Sequence, residues 1–226
     1  MEIENRLSRA QIAWRAAQDL DAGQYVNLGM GMPVLVASHV SADRGIIFHS
    51  ENGIVGVGPV AQGDEIDPDF VDAGSQNVTL NPGAAIVDSV ASFAMIRGGH
   101  LDVTLLGGFE VANNGDLANW DSQVPGKGQL VGGAMDLAAG AKSVRVMMDF
   151  VTKKGAPRFL KTCTLPITGQ GVVDRVYTDL AIVAVRDGRF VVLEHVEGVS
   201  PEQLQAMSGA PLDFPEDCAV LSAPDI

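Results

Sequence analysis

Apolar and polar positions along this chain fall into two alternating periods. Ile12, Ala16 and Leu20 recur at helical spacing behind Ser8-x-x-Gln11, a capping box. That pattern predicts a helix from Ser8 through about Leu20, with Gly23 as its stop. Tyr25–Leu28 reads as a short strand, Gly29-Met30-Gly31 as a tight loop, and Pro33 as the opening of a helix to about Val40. Ile46–Ser50 is a second apolar run, ended by Glu51-Asn52-Gly53. A glycine- and acid-rich stretch at 56–69 reads as loop, and Val78–Leu80 as strand. Asp88 or Ser89 caps a helix to about Arg97, with Gly98-Gly99 as its end. Val103–Leu106 and Val144–Met148 have the continuous apolar character of buried strands. Between them, GDLANWDSQVPGKGQLVGG carries loop chemistry and is expected to wrap a site. Ala181–Val185 and Phe190–Glu194 flank Asp187-Gly188 and predict a hairpin. Ser200-Pro201-x-Gln203 caps a last helix ending near Gly209.

Short apolar strands alternating with helices favour an open α/β fold: a three-layer α/β/α arrangement around a mixed, mostly parallel sheet. No linker divides the chain and no repeat of 20–50 residues is visible, so residues 1–226 read as a single domain.

Charge narrows the function. Twenty-eight acids against 15 bases give a net charge of −13. The acid excess argues against a nucleic-acid binder, because phosphate contacts need clustered bases. Residues 1–113 hold no lysine, and all five lysines lie between Lys127 and Lys161. The run Lys142, Arg145, Lys153, Lys154, Arg158 and Lys161 is where a polyphosphate ligand would be attracted, unless it is simply a solvated face. Cys163 and Cys218 form no framework or zinc pattern, and the four histidines lack metal-ligand spacing, so no metal site is expected. A charged N-terminus without an apolar core, and no long apolar stretch, point to a cytoplasmic protein without membrane association.

Three places carry candidate chemistry. The strand–Gly29-x-Gly31–helix unit offers close backbone approach and free N–H groups to an anion. It lacks the third glycine, near Val34, of a dinucleotide fingerprint, although Glu51 supplies an acid at about the right distance. An NAD-dependent oxidoreductase is therefore an alternative reading. Ser50-Glu51-Asn52-Gly53 places a carboxylate where an apolar strand meets a loop, the end of a parallel strand at which ligands bind. Glu51 is a candidate nucleophile that needs no general base, or else an ordinary strand-end carboxylate that caps a neighbouring backbone group. Asn52 could orient it or donate to an oxyanion, and Gly53 gives substrate room. Gly132-Gly133, before a helix, could expose two N–H groups to an anionic centre or simply form a turn.

Together, YVNLGMGMP, FHSENGIVGVGP, VTLNPGAA, RGGHLDVTLLGGFEV, GDLANW, VGGAMDLAAGA, CTLPITG and YTDLAI resemble the B (beta) subunit of class I, 3-oxoacid-type CoA-transferases, across nearly the whole chain. The resemblance implies a ping-pong transfer of CoA between an acyl-CoA, such as succinyl-CoA, and a carboxylic acid, such as acetoacetate or 3-oxoadipate. Glu51 would carry a glutamyl-CoA thioester, with coenzyme A as substrate and covalent intermediate and no permanently bound cofactor. Asn27, Gly29 and Gly31 would lie against CoA, with Gly132 and Gly133 at the active site, where Asn52 and Gly53 stay candidates for substrate contact by their place beside Glu51. The resemblance also implies an A subunit as partner in a hetero-oligomer such as A2B2. A non-catalytic CoA-binding subunit of the same fold is a further alternative. Where family members often place a lysine after Asp72-Ala73-Gly74, this chain has Ser75.

Overall fold

A computed structural model describes residue 3 and residues 5–226. Its first helix, α1 (Arg9–Gln18), is capped by Ser8 as expected. The Ser8 hydroxyl accepts from the Gln11 N–H, and the Gln11 side chain accepts from the Ser8 N–H. It buries Ile12, Ala13, Ala16 and Ala17 and ends at Asp19, short of Gly23.

The strands then follow in order: β1 (Tyr25–Leu28), β2 (Ile47–Ser50), β3 (Ile54–Val60), β4 (Val78–Ile86), β5 (Val103–Gly107), β6 (Glu110–Ala112), β7 (Leu117–Ala118), β8 (Ser143–Met147), β9 (Phe159–Leu160), β10 (Val173–Tyr177), β11 (Ala181–Arg186), β12 (Arg189–Val196), β13 (Leu212–Asp213) and β14 (Ala219–Leu221). Three more helices interrupt them: α2 (Ser89–Arg97), α3 (Ala134–Gly140) and α4 (Pro201–Met207). The main sheet has the order β13-β12-β11-β10-β8-β5-β1-β2-β3-β4, with β14 also on β12. Its centre, β2-β1-β5-β8-β10, is parallel throughout. Antiparallel pairs flank it on both sides. A small sheet of β7, β6 and β9 stands apart.

Strand alternation sorts the layers. Asn27 and His49 sit opposite each other in register, and the His49 ring meets Ser92 of α2. Their face therefore belongs to α2, which packs with α3. On the other face, Arg175 and Tyr177 of β10 reach Asp19 at the end of α1, and α1 packs on a 3₁₀ helix, Met32–His39. The sheet thus lies between two helical layers, with Leu105, Val146, Val176 and Ile182 fully buried in it. Phe159 joins Phe150 and Phe190 at ring separations of 4.9 and 5.1 Å, anchoring β9 to the main core.

Several local expectations change. Pro33 opens a 3₁₀ rather than an α-helix. Residues 56–60 belong to β3, not a loop, and β4 continues to Ile86 through Asn81-Pro82-Gly83. Pro82 is tolerated because β4 is the outermost strand, where a missing N–H breaks no ladder bond. The expected hairpin forms as β11–β12, its turn residues Asp187 and Gly188 both at positive φ, 49° and 72°.

Asp19 ties the helical layer to the sheet. Its carboxylate accepts from Arg15 at 2.7 Å, from the Tyr177 hydroxyl at 2.8 Å, and from Arg175. Burial pushes its carboxyl up, but the Arg15 and Tyr177 hydrogen bonds and the Arg15 and Arg175 charges prevail and hold it below the ordinary carboxylate range. A depressed folded-state value means stability that is present above the unfolded value and lost as pH falls through the folded one. Asp19→Asn should therefore cost about 2 kcal/mol at neutral pH. In denaturant titrations the gap to wild type should narrow as pH falls below the ordinary aspartate range, and a gap independent of pH would contradict this account.

Candidate active site

Glu51 occupies the tight turn between β2 and β3. The Gly53 N–H donates to the Ser50 carbonyl at 2.9 Å, and Gly53 has φ +121°. A Cβ at Gly53 would stand 2.1 Å from the Val87 carbonyl oxygen, so only glycine closes this turn. Beside it, the Ser50 hydroxyl accepts from the Ala73 N–H at 2.8 Å, pinning the 72–76 loop to the turn. In that loop the Asp72 carboxylate accepts from the N–H groups of Gly74 and Gln76, each at 2.8 Å. Ser75 is exposed there with φ 64°.

The Glu51 carboxylate is half-buried and meets the backbone just before α3. Gly133 N–H donates to Oε1 at 3.2 Å. An added Cβ at Gly133 would come within 2.7–2.9 Å of the carboxylate atoms, and one at Gly132 within 3.9 Å of Oε1. The absence of a side chain at 133 lets the two segments touch. Burial pushes the Glu51 carboxyl above the ordinary range; the Gly133 hydrogen bond opposes this, and the Asp136 charge reinforces it.

A cavity of about 570 Å³ opens in front of this carboxylate. Gly29 and Gly31, after β1, form one wall. Gly107, Gly108 and Phe109, at the end of β5, and Met147, Met148 and Asp149, at the end of β8, form another. Gln129–Ala134 close it from the long loop, and Arg9 and Arg158 supply the cations. Gly29 lies so close to β5 that its N–H donates to Leu105 O at 2.8 Å, and a Cβ would stand 3.0 Å from that oxygen. Gly31, at φ 86°, leads into the 3₁₀ helix.

Of the residues singled out in the sequence, the structure brings Gly29, Gly31, Glu51, Gly132 and Gly133 together around this cavity. Asn27, Asn52 and Gly53 do not line it. The Asn52 amide donates to the Val71 carbonyl at 2.7 Å, just before the 72–76 loop. Asn27 is 1% exposed and lies beneath the site. Its amide donates to the His49 carbonyl at 3.1 Å and to His49 Nδ1 at 3.2 Å, while its oxygen accepts from the Thr104 hydroxyl at 3.3 Å. That arrangement leaves the His49 Nε2–H to donate to Ser92 Oγ at 2.9 Å. Burial pushes the His49 imidazole down to about 4, so the ring is neutral at pH 7. This network joins β1, β2, β5 and α2 two residues before Glu51.

The basic run is dispersed. Lys142 pairs with Asp102, and Arg145 donates to the Asp19 carbonyl, while Lys153, Lys154 and Lys161 are exposed. Only Arg158 of this set lines the cavity. Residues 107–109 and 147–149 had a usable signal, since each follows or ends a predicted parallel strand at its carboxyl end. Arg9 and Arg158 had none, because nothing local distinguishes a cavity arginine from a surface one.

Residues 9–206 match the model of the coenzyme A transferase family. The chain belongs to that family. It is 50% identical over 208 residues to the B subunit of the 3-oxoadipate CoA-transferase of Acinetobacter baylyi, covering 92% of this chain and 96% of that protein. It is 46% identical over 203 residues to the B subunit of the succinyl-CoA:3-ketoacid coenzyme A transferase of Helicobacter pylori, covering 89% and 97%. In fold it is similar to an acyl-CoA transferase of Escherichia coli O157:H7, with a TM-score of 0.75 at 20% identity. That match covers 98% of this chain and 44% of the longer polypeptide. A CoA-transferase sheet thus explains the mostly parallel topology, and the 25–51 unit is not the start of a dinucleotide-binding enzyme. Among the described residues, no helix is long and apolar enough to cross a membrane.

The contact between Gly133 and Glu51 makes a sharp prediction. Gly133 has φ −74°, which any residue adopts, so Gly133→Ala should fold with a melting temperature within a few degrees of wild type. Its methyl group must displace the carboxylate, and CoA-transfer activity of the assembled enzyme should fall roughly 100-fold. Full activity in a folded Gly133→Ala enzyme would show that the carboxylate does not work from this position.

Proposed function

We propose that this chain is the catalytic B subunit of a CoA-transferase that moves CoA between an acyl-CoA, such as succinyl-CoA, and a 3-oxoacid, by a ping-pong route through Glu51. One observation carries the reading: a half-buried carboxylate, made more basic by burial, held at a cavity wall by a single backbone N–H. Desolvation strengthens a carboxylate as a nucleophile, and the fixed N–H holds it in one orientation.

Each step conserves atoms and charge. A Glu51 carboxylate oxygen attacks the thioester carbonyl, the C–S bond breaks, and CoA leaves as thiolate, giving an acyl-glutamyl anhydride. The thiolate attacks the Glu51 side-chain carbonyl, the bond to the acyl carboxylate breaks, and the free acid leaves a glutamyl-CoA thioester. A second acid runs the sequence in reverse. The Gly133 N–H already faces a Glu51 oxygen and stands ready to donate to the charge that develops there. A carboxylate is a modest nucleophile, so binding energy from the rest of CoA must drive the reacting centre.

The named relatives are B subunits, which supports an A chain as the partner completing the enzyme, a cytoplasmic hetero-oligomer of the A2B2 kind. The same names support succinyl-CoA with a 3-oxoacid, 3-oxoadipate among them, as substrates. No permanently bound cofactor enters the scheme.

Incubating the A–B complex with acyl-CoA should add the mass of CoA, less water, to the peptide bearing Glu51, and borohydride should reduce that thioester to a primary alcohol at residue 51, releasing CoA as the thiol. Glu51→Ala should abolish both adduct and turnover, and an active Glu51→Ala complex would overturn the proposal. Because the nucleophile must be ionised and its carboxyl sits above the ordinary range, the acid limb of the first half-reaction should lie above the usual glutamate value. Stopped-flow acylation across pH reads this directly.

A further inference from the structure

Arg158 is one of two cavity cations, with Arg9, that the scheme above does not use. Its backbone is fixed at the start of β9, where its carbonyl accepts from the Val111 N–H at 2.9 Å and the neighbouring Phe159 is buried between two aromatic rings. Its guanidinium is fixed as well: Nη1 donates to the Gly108 carbonyl at 2.9 Å, and Gly108 is part of the cavity wall. Its Nε is buried and meets no hydrogen-bond partner among the described residues. No carboxylate of the described residues stands within salt-bridge distance of it, although Asp149 lines the same cavity. A guanidinium held at the cavity wall with no carboxylate partner can meet an anion through its remaining Nη N–H groups.

The charged groups lining the cavity are Arg9, Glu51, Asp149 and Arg158. Once Glu51 is acylated or carries a thioester it is neutral, and the lining then holds two guanidiniums against one carboxylate. A cavity of about 570 Å³ is the size that takes a drug-sized ligand, so it admits the acyl end of an acyl-CoA and leaves the nucleotide end outside. Planar, two-pronged recognition of a carboxylate is what a guanidinium does best.

We propose that Arg158 receives the far carboxylate of a dicarboxylic acyl group and selects such acyl-CoAs over monocarboxylic ones. This rests on the Glu51 reading given above. Arg158 binds substrate in both directions of the reaction when the acceptor is also dicarboxylic, since donor and acceptor acids pass through the same cavity in turn.

The test uses the assembled A–B enzyme with succinyl-CoA and with butyryl-CoA, which has the same chain length but ends in a methyl group. Arg158→Gln should raise KM for succinyl-CoA roughly 10- to 100-fold while changing that for butyryl-CoA less than about 2-fold. Arg158→Lys should recover part of the loss, because the charge returns without the fork. An equal loss on both substrates would overturn the proposal and place the arginine's role at CoA or in the fold, as would an unchanged KM for succinyl-CoA. Should Arg158→Gln not fold, free succinate and butyrate can be compared as competitors of acylation in the wild-type complex. Succinate should compete at least 10-fold better, and equal competition would overturn the assignment. A wild-type complex that never forms a thioester on Glu51 would instead overturn the reading beneath it, an outcome distinct from thioester formation without discrimination.

Discussion

The site depends on how closely the chain before α3 approaches the turn after β2. Glu51 and Gly133 are 82 residues apart and belong to separate strand–helix units, yet the backbone of one is in van der Waals contact with the carboxylate of the other. Three features make that approach work. Gly133 has no side chain, Gly53 lets the turn close against Val87, and the parallel centre of the sheet brings the ends of β1, β2, β5 and β8 to one edge. A carboxylate placed there is dry enough to be basic and still reaches the cavity.

Beneath that edge the interior is polar where an ordinary parallel sheet would be apolar. Asn27, His49, Thr104 and Ser92 are each buried, and each has a partner in the network. Satisfied buried polar groups specify one arrangement, because any slip leaves donors and acceptors unpaired at a cost of about 1–3 kcal/mol each. Asn27 in particular locks β1 to β2 and β5 in register, so the loops leaving those strands, which carry Gly29, Glu51 and Gly107, keep fixed spacing. Asn27 therefore bears on the site from the core, without reaching the cavity.

Much of this was legible from residues alone. The capping box at Ser8, the Asp187-Gly188 hairpin and the apolar runs of β5 and β8 report local rules that the fold obeys, and Glu51 stood out because an apolar strand ended on it. What was hidden depends on contacts distant in sequence. The extension of β4 through Pro82 is allowed only because nothing pairs beyond it. The glycine- and proline-bearing 56–60 stretch becomes strand because β4 lies alongside. Lys142, Arg145 and Arg158 read as one basic run, yet they pair with Asp102, the Asp19 carbonyl and the Gly108 carbonyl respectively, three unrelated places. Linear spacing does not show which side of a sheet a long side chain reaches.

The loop of residues 121–133 that carries Gly133 has a thermodynamic consequence. Apart from Asp121, Ser122 and Gly133 it is exposed, and a few bonds hold it, among them Leu130 N–H to the Trp120 carbonyl at 2.7 Å and Gln129 to Asp121 at 3.0 Å. Any excursion that lifts it returns the Glu51 carboxylate to water and to its ordinary proton affinity. Loop position and protonation are then linked: a proton on Glu51 favours the closed arrangement, and its loss favours opening by the same free energy. Converting Glu51 to the neutral anhydride or thioester removes the same charge, so each covalent step shifts this balance in the direction a proton does.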